Sequence, residues 1–171
     1  MTASPTPTPA SRPARALRTV LAAGLLAGAL DITYVFVYFH TADPFSILRN
    51  IAAGLLGAAA VKGGGLGLAA LGLALHFVIA LGAAAVFYAA SRKLPVLTRH
   101  AIVSGLLFGV VVWLVMNGVV LPLDANPPKN FPLQLPVARW MPVFVAHLLC
   151  IGLPIALVVR RSAPPSPPAA T

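Results

Sequence analysis

Four side chains in this sequence stand apart from their surroundings: Asp31, His76, Asn117 and His147 each interrupt a long apolar run. Carboxylate and imidazole are the groups best placed to exchange protons near neutral pH. An ionised Asp near the middle of a membrane costs about 2.5–3.5 kcal/mol on insertion scales, so a carboxylate there needs a partner or a proton. Asp31, in the stretch "GALDITYVFVYFH" (28–40), faces that requirement, and His76 and His147 are the obvious partners. Three chemistries follow. An Asp–His–Asn hydrogen-bonded core would lock the helices together and do nothing more. A cavity lined by the same groups would serve a small proton- or ion-coupled transporter or channel. Two histidines on different helices also resemble the axial ligands of a haem or metal, although no ligand-spacing motif accompanies them. His40 and His100 fall at the ends of apolar runs and are expected in water.

Nucleophilic and phosphate chemistry find no footing. The sequence holds no G-x-S-x-G, no paired carboxylates, no H-E-x-x-H and no phosphate loop, and "KGGGLG" lacks the Lys-Ser/Thr that would follow in one. Neither an enzyme nor a cofactor is expected. Cys150 is the single cysteine, so no intrachain disulfide can form.

The elements that must position these residues follow from composition. Of 171 residues 59% are hydrophobic and 9% charged, with 12 Lys/Arg against 3 Asp and no Glu. A soluble domain carries about 25% charged residues, so this chain belongs in a bilayer. The net charge of +9 would suggest nucleic acid in a soluble protein, but the basic residues cluster at the ends of apolar runs, where they anchor topology. No nucleic-acid partner is expected. The lipid bilayer is the expected partner, with a second copy of the chain or another membrane protein left open.

About 20 residues at 1.5 Å each cross a hydrocarbon core of roughly 30 Å. Runs at about 20–39, 66–90, 101–121 and 137–159 meet that length and define a transmembrane domain over 18–161. The Pro-rich tails, 1–17 and 162–171, are expected to be disordered. Residues 44–57 form a shorter amphipathic pattern. Asp43 and Pro44 signal a helix start; Phe45, Leu48, Ile51, Ala52, Leu55 and Leu56 share one side, with Ser46, Arg49 and Asn50 opposite. Too short to span, it is expected to lie in the interface with its apolar side down; a re-entrant hairpin is the alternative. "VKGGGLG" reads as a hinge, and "LPLDANPPKNFPLQLP" (121–136), with five prolines, as a stiff extended loop able to cover the polar residues.

Depth and facing argue that the polar residues meet. Asp31 lies 8 residues before Phe39 and His76 lies 10 after Leu66; these are depths of about 12 and 15 Å. His147 is 7 residues after Trp140 and Asn117 is 4 before Leu121, about 10 and 6 Å deep. All four fall between the midplane and one surface. His76 shares a stripe of small residues with Ala69, Gly72, Ala80 and Ala83, and G-x-x-x-G pairs occur at Gly24–Gly28 and Gly105–Gly109. Gly152 and Pro154 are expected to bend the last span.

Eight of the 12 basic residues flank the spans on the side of the termini: Arg12, Arg15, Arg18, Arg92, Lys93, Arg99, Arg160 and Arg161. That bias predicts both termini in the cytoplasm, with Tyr34, Tyr38 and Trp140 in an aromatic belt on the outer face. Arginines followed by an apolar stretch and "AGAL" also resemble a signal peptide cleaved after Ala29, but the apolar run continues to Phe39, which favours a retained span.

The segments "ILRNIAAGLLG" (47–57), "LGLALHFVIALGAAAVFYAASRKLP" (71–95), "GLLFGVVVWLVMNGVVLPL" (105–123) and "AHLLCIGLPIAL" (146–157) resemble small bacterial inner-membrane proteins, including, distantly, the YagU type. The resemblance implies an inner (plasma) membrane location and carries no reaction. It does not extend to the first span, so it says nothing of Asp31. The expected architecture is an all-α membrane protein of four transmembrane helices plus one short interfacial helix.

Overall fold

The computed structural model describes residues 12–127 and 132–162. The expectations for residues 1–11, 128–131 and 163–171 lie outside the described residues. Five principal helices follow in order: α1 (Arg12–Tyr38), α2 (Pro44–Leu56), α3 (Leu66–Lys93), α4 (Ala101–Leu123) and α5 (Val137–Arg161). A single turn, Val96–Arg99, joins α3 to α4, and a short 3-10 turn, Pro132–Gln134, precedes α5. Helices α1, α3, α4 and α5 are long and apolar enough to cross a membrane, and α2 is a shorter apolar helix. The chain is an all-α, multi-pass membrane protein.

Two boundaries differ from expectation. Helix α1 begins at Arg12, so 12–17 are helical and not part of a disordered tail. Pro13 sits in the first turn, where its missing N–H costs nothing, and Ala14, Arg15, Ala16 and Leu17 all favour helix. At the other end of the bundle α4 continues through Leu121–Leu123, which the proline count had marked as extended loop. It does so by widening into a π-helical segment at Met116–Val120, two residues before Pro122. Helix α5 repeats the device with a π segment at His147–Gly152, two residues before Pro154. A proline ring clashes with the carbonyl four residues earlier. Those carbonyls belong to Gly118 and Cys150, each inside its widened segment. Both helices thus accommodate proline without breaking.

Small residues set the packing. A Cβ on Gly24 would fall 2.8 Å from the Leu81 Cα, and one on Gly28 would meet the Phe77 ring at 2.8 Å, so this pair seats α1 on α3. Gly105 and Gly109 seat α4 on α5 in the same way, against Gly152, Leu153, His147 and Leu148. Near the chain termini a dry core forms from Ala23 and Ala27 of α1, Ala84 and Phe87 of α3, Ala101 of α4, and Ile151, Ile155, Ala156 and Val159 of α5. Residues pointing away from these seams, such as Val78, Val86, Ile102, Leu107 and Val111, are exposed and apolar, as a lipid-facing surface must be.

Helix α2 starts as its sequence dictates. The Asp43 carboxylate accepts from the backbone N–H of Phe45 (3.3 Å) and Ser46 (2.9 Å), and Gly57, at φ 84°, ends the helix. It is one helix followed by turns, with no second half-helix of a hairpin. Leu48, Ala52 and Ala53 are buried, and the Leu48 carbonyl lies directly against Gly72 of α3. Phe45, Leu55 and Leu56, on the same apolar side, are exposed, because the stripe packed on α3 is centred on Leu48 and Ala52. The C-terminal end of α2 reaches α4, where the Ala125 N–H donates to the Gly54 carbonyl at 2.8 Å. Helix α2 therefore spans from α3 to the end of α4.

Candidate functional site: a polar-floored cavity beneath α2

Beneath α2 the bundle is not filled. Helices α3 and α4 touch through Phe87 and Phe108, with ring centroids 5.0 Å apart. Nearer α2, Ile79, Ala80 and Ala83 of α3 and Val112, Met116 and Val119 of α4 line opposite walls of a cavity of about 950 Å³. Its lining also includes Asp31, His76 and His147, with Ser46 and Asn50 of α2 and Asp124 at its rim. Its exposed edge includes Ile79 on α3, Val119 on α4 and Leu55 on α2. Ile79 is halfway along the 28-residue α3, so the opening runs sideways from the middle of α3 to the α2 end, where Leu55 and Leu123 are exposed.

Asp31 is 9% exposed, and its Oδ1 is fully buried with no hydrogen-bond partner. Both imidazoles lie within electrostatic reach of the carboxylate. Yet among the described residues no hydrogen bond or ion pair joins Asp31 to either one. Each histidine is instead held by a backbone carbonyl. His76 Nε2 meets the Gly28 carbonyl across the α1–α3 seam at 2.9 Å, and His147 Nδ1 meets the Val143 carbonyl of its own helix at 2.8 Å. A carbonyl only accepts, so these nitrogens carry protons, and in a neutral imidazole His76 Nδ1 and His147 Nε2 are the nitrogens left to accept. Among the described residues no three His, Cys, Asp or Glu converge closely enough to hold a metal ion.

The structure thus brings Asp31, His76 and His147 to one cavity and leaves Asn117 out of it. Asn117 is buried, but its amide donates to the Trp113 carbonyl at 2.8 Å. Ala101, Gly105, Gly109, Trp113 and Asn117 recur every four residues and are all buried, whereas the cavity wall is built by Val112, Met116 and Val119. The Asp–His–Asn lock considered from the sequence does not form, because its members occupy two faces and the carboxylate bonds to neither histidine. Asp124, Ser46 and Asn50 were not singled out for this site. Asp124 had a usable signal, as one of only 3 acidic residues in the chain.

The aromatic residues do more than mark a boundary. Pro142 cannot donate to the Ala138 carbonyl, and Tyr38 Oη donates there from α1 at 3.4 Å, while Tyr34 Oη donates to the Pro142 carbonyl at 3.2 Å. Trp140 packs on Trp113 and Phe144. These contacts close the α1–α5 and α4–α5 sides, and among the described residues the cavity is open between α3 and α4.

The fold and site define a small all-α membrane protein with a laterally open, acid-floored cavity. No family model, curated protein or solved structure matches the chain.

Proposed function

We propose that this chain is a non-catalytic, proton-coupled transporter of the bacterial inner membrane, with both termini in the cytoplasm, Asp31 as its titratable group, and His76 and His147 beside it. The observation that carries this reading is the unpartnered Asp31 carboxylate on the wall of a large cavity. A carboxylate kept only for stability would be fully hydrogen-bonded, because a buried unsatisfied acceptor costs about 1–3 kcal/mol. One kept available to a proton or a solute must be left unpaired. The paired π segments support the same reading, since such segments frequently mark functional sites. The orientation rests on the basic residues at the terminal ends of the spans, and the interfacial placement of α2 on its length.

The test uses proteoliposomes loaded with a pH-reporting dye and challenged from one side with a panel of organic cations, anions and neutral solutes. Solute-dependent proton movement is expected with wild type and not with Asp31→Asn, provided that the variant elutes and melts as a folded protein. Proton movement that survives in Asp31→Asn, or none with any solute on wild type, overturns the proposal. A reporter fused after Arg161 is expected to be active only in its cytoplasmic form.

A further inference from the structure

We infer that the cavity beneath α2 takes a lipophilic organic amine in its protonated form, entering from the hydrocarbon phase between α3 and α4, with Asp31 as its counter-ion. The inference rests on the reading of Asp31 as a site for solute and proton, and adds the class of solute. Charge is the first argument. The chain has 12 Lys/Arg and 3 Asp, yet two of those three Asp, Asp31 and Asp124, line the cavity. None of the described lysines or arginines does. An anion would meet a carboxylate at the floor and another at the rim, with no Lys or Arg beside it among the described residues.

Hydrogen bonding is the second argument. The polar groups at the floor are acceptors: the unpartnered Asp31 carboxylate and, once their other nitrogens are committed to carbonyls, one lone pair on each imidazole. An ammonium supplies donors and charge together; an alcohol supplies one donor and leaves the ionised carboxylate unneutralised. The walls settle the rest of the ligand. Ile79, Val112, Met116, Val119 and Ile32 offer only apolar contact, and a volume of about 950 Å³ is ample for a drug-sized apolar body. The exposed edge runs from Ile79, halfway along α3, to Leu55 and Leu123 at the α2 end, so a free amine and an aminolipid headgroup would offer Asp31 the same ammonium, and the experiment below separates the two sources.

Proton and amine compete for one carboxylate. The titratable groups facing Asp31 are His76 from α3, His147 and Cys150 from α5 and, at the rim, Asp124 after α4; α2 contributes only uncharged Ser46 and Asn50. Amine affinity therefore falls as pH falls.

The experiment is equilibrium dialysis of three probes with one apolar body, 6-phenylhexylamine, 6-phenylhexanol and 6-phenylhexanoate. The full chain is held in phosphatidylglycerol nanodiscs, with empty discs as the blank. At pH 8 saturable amine binding is expected, at least about tenfold tighter than the alcohol, with no saturable binding of the acid. Asp31→Asn is expected to bring the amine down to the alcohol's affinity. Ile79→Trp, which narrows the entry and leaves the carboxylate in place, is expected to weaken amine and alcohol together. Equal affinity for amine and alcohol on wild type overturns the inference even if Asp31→Asn fails to fold. So does displacement of the amine by phosphatidylethanolamine in the discs, which would assign the site to a headgroup. Binding in discs needs no gradient: amine binding without proton movement in proteoliposomes would sink the transport reading alone. Proton-coupled flux with no preference for amines would sink this inference alone.

Discussion

The two ends of the bundle are built from the same alphabet and packed to opposite purposes. At the terminal end, alanine and glycine let four helices meet with Phe87 and Ile155 wholly enclosed between them. At the α2 end the buried cluster shrinks to Ile32, Leu48 and Ala69, and space remains between α3 and α4. Of the four buried polar residues described, three are satisfied within their own helices, Asn117 at the α2 end among them. Thr19 and Ser91, at the terminal end, donate to the carbonyls of Arg15 (2.9 Å) and Tyr88 (2.7 Å) within their own helices. Asp31, at the α2 end, has an oxygen with no partner. A close-packed end that holds the helices together permits a loose end that leaves a carboxylate available.

Breaking the α4–α5 seam should have the largest effect. A Cβ on Gly152 would fall 2.7 Å from the Gly109 Cα, a backbone atom that cannot step aside. Gly152→Ala should lose about 3 kcal/mol or more and lower yield and Tm in detergent sharply. A wild-type melt would show that the seam is not close-packed. Asp31 predicts the opposite sign. Since no histidine bonds it, Asp31→Leu as well as Asp31→Asn should raise thermal stability, by up to about 2.5–3.5 kcal/mol, while bringing amine binding down to the level of the alcohol. A destabilised Asp31→Leu would reveal a partner and make the two ends alike.

Gly72→Ala tests the join between α2 and the bundle. The added methyl meets the Leu48 backbone, so α2 must shift from α3 at a cost of about 1–3 kcal/mol. Impermeant thiol reagents should then label a cysteine at position 48 that wild-type packing protects; unchanged protection would mean that α2 is held elsewhere. The smallest effect belongs to Asp124. Burial beside α2 raises its carboxyl above the ordinary 3.8. The folded state therefore favours the protonated form, and stability declines as pH rises from below the unfolded value through the raised folded one. Asp124→Asn lacks this slope. Its Tm should match wild type near pH 3.5 and exceed it slightly at pH 6, and a gap that narrows with rising pH would contradict the assignment.

Some of this was legible before any coordinate. Span lengths, the Asp43–Pro44 helix start and the G-x-x-x-G pairs are local signals, and each corresponds to an observed helix or seam. The site was legible in part. Depth along each span selected Asp31, His76 and His147, but it also selected Asn117, whose four-residue repeat with Gly105, Gly109 and Trp113 places it on the other side of α4.

Which segments are apolar enough to enter the membrane can be read residue by residue, because hydropathy over a spanning length is a property of the segment alone. Where polar groups sit along each span can be read in the same way, because helical rise is fixed. Which of those groups share a space depends instead on how the helices pack. Facing depends on how π segments rotate α4 and α5, on the Gly28 carbonyl that captures His76, and on how far α3 and α4 part above Phe87 and Phe108. Each is a relation between helices, and a cavity is the volume that those relations leave unfilled.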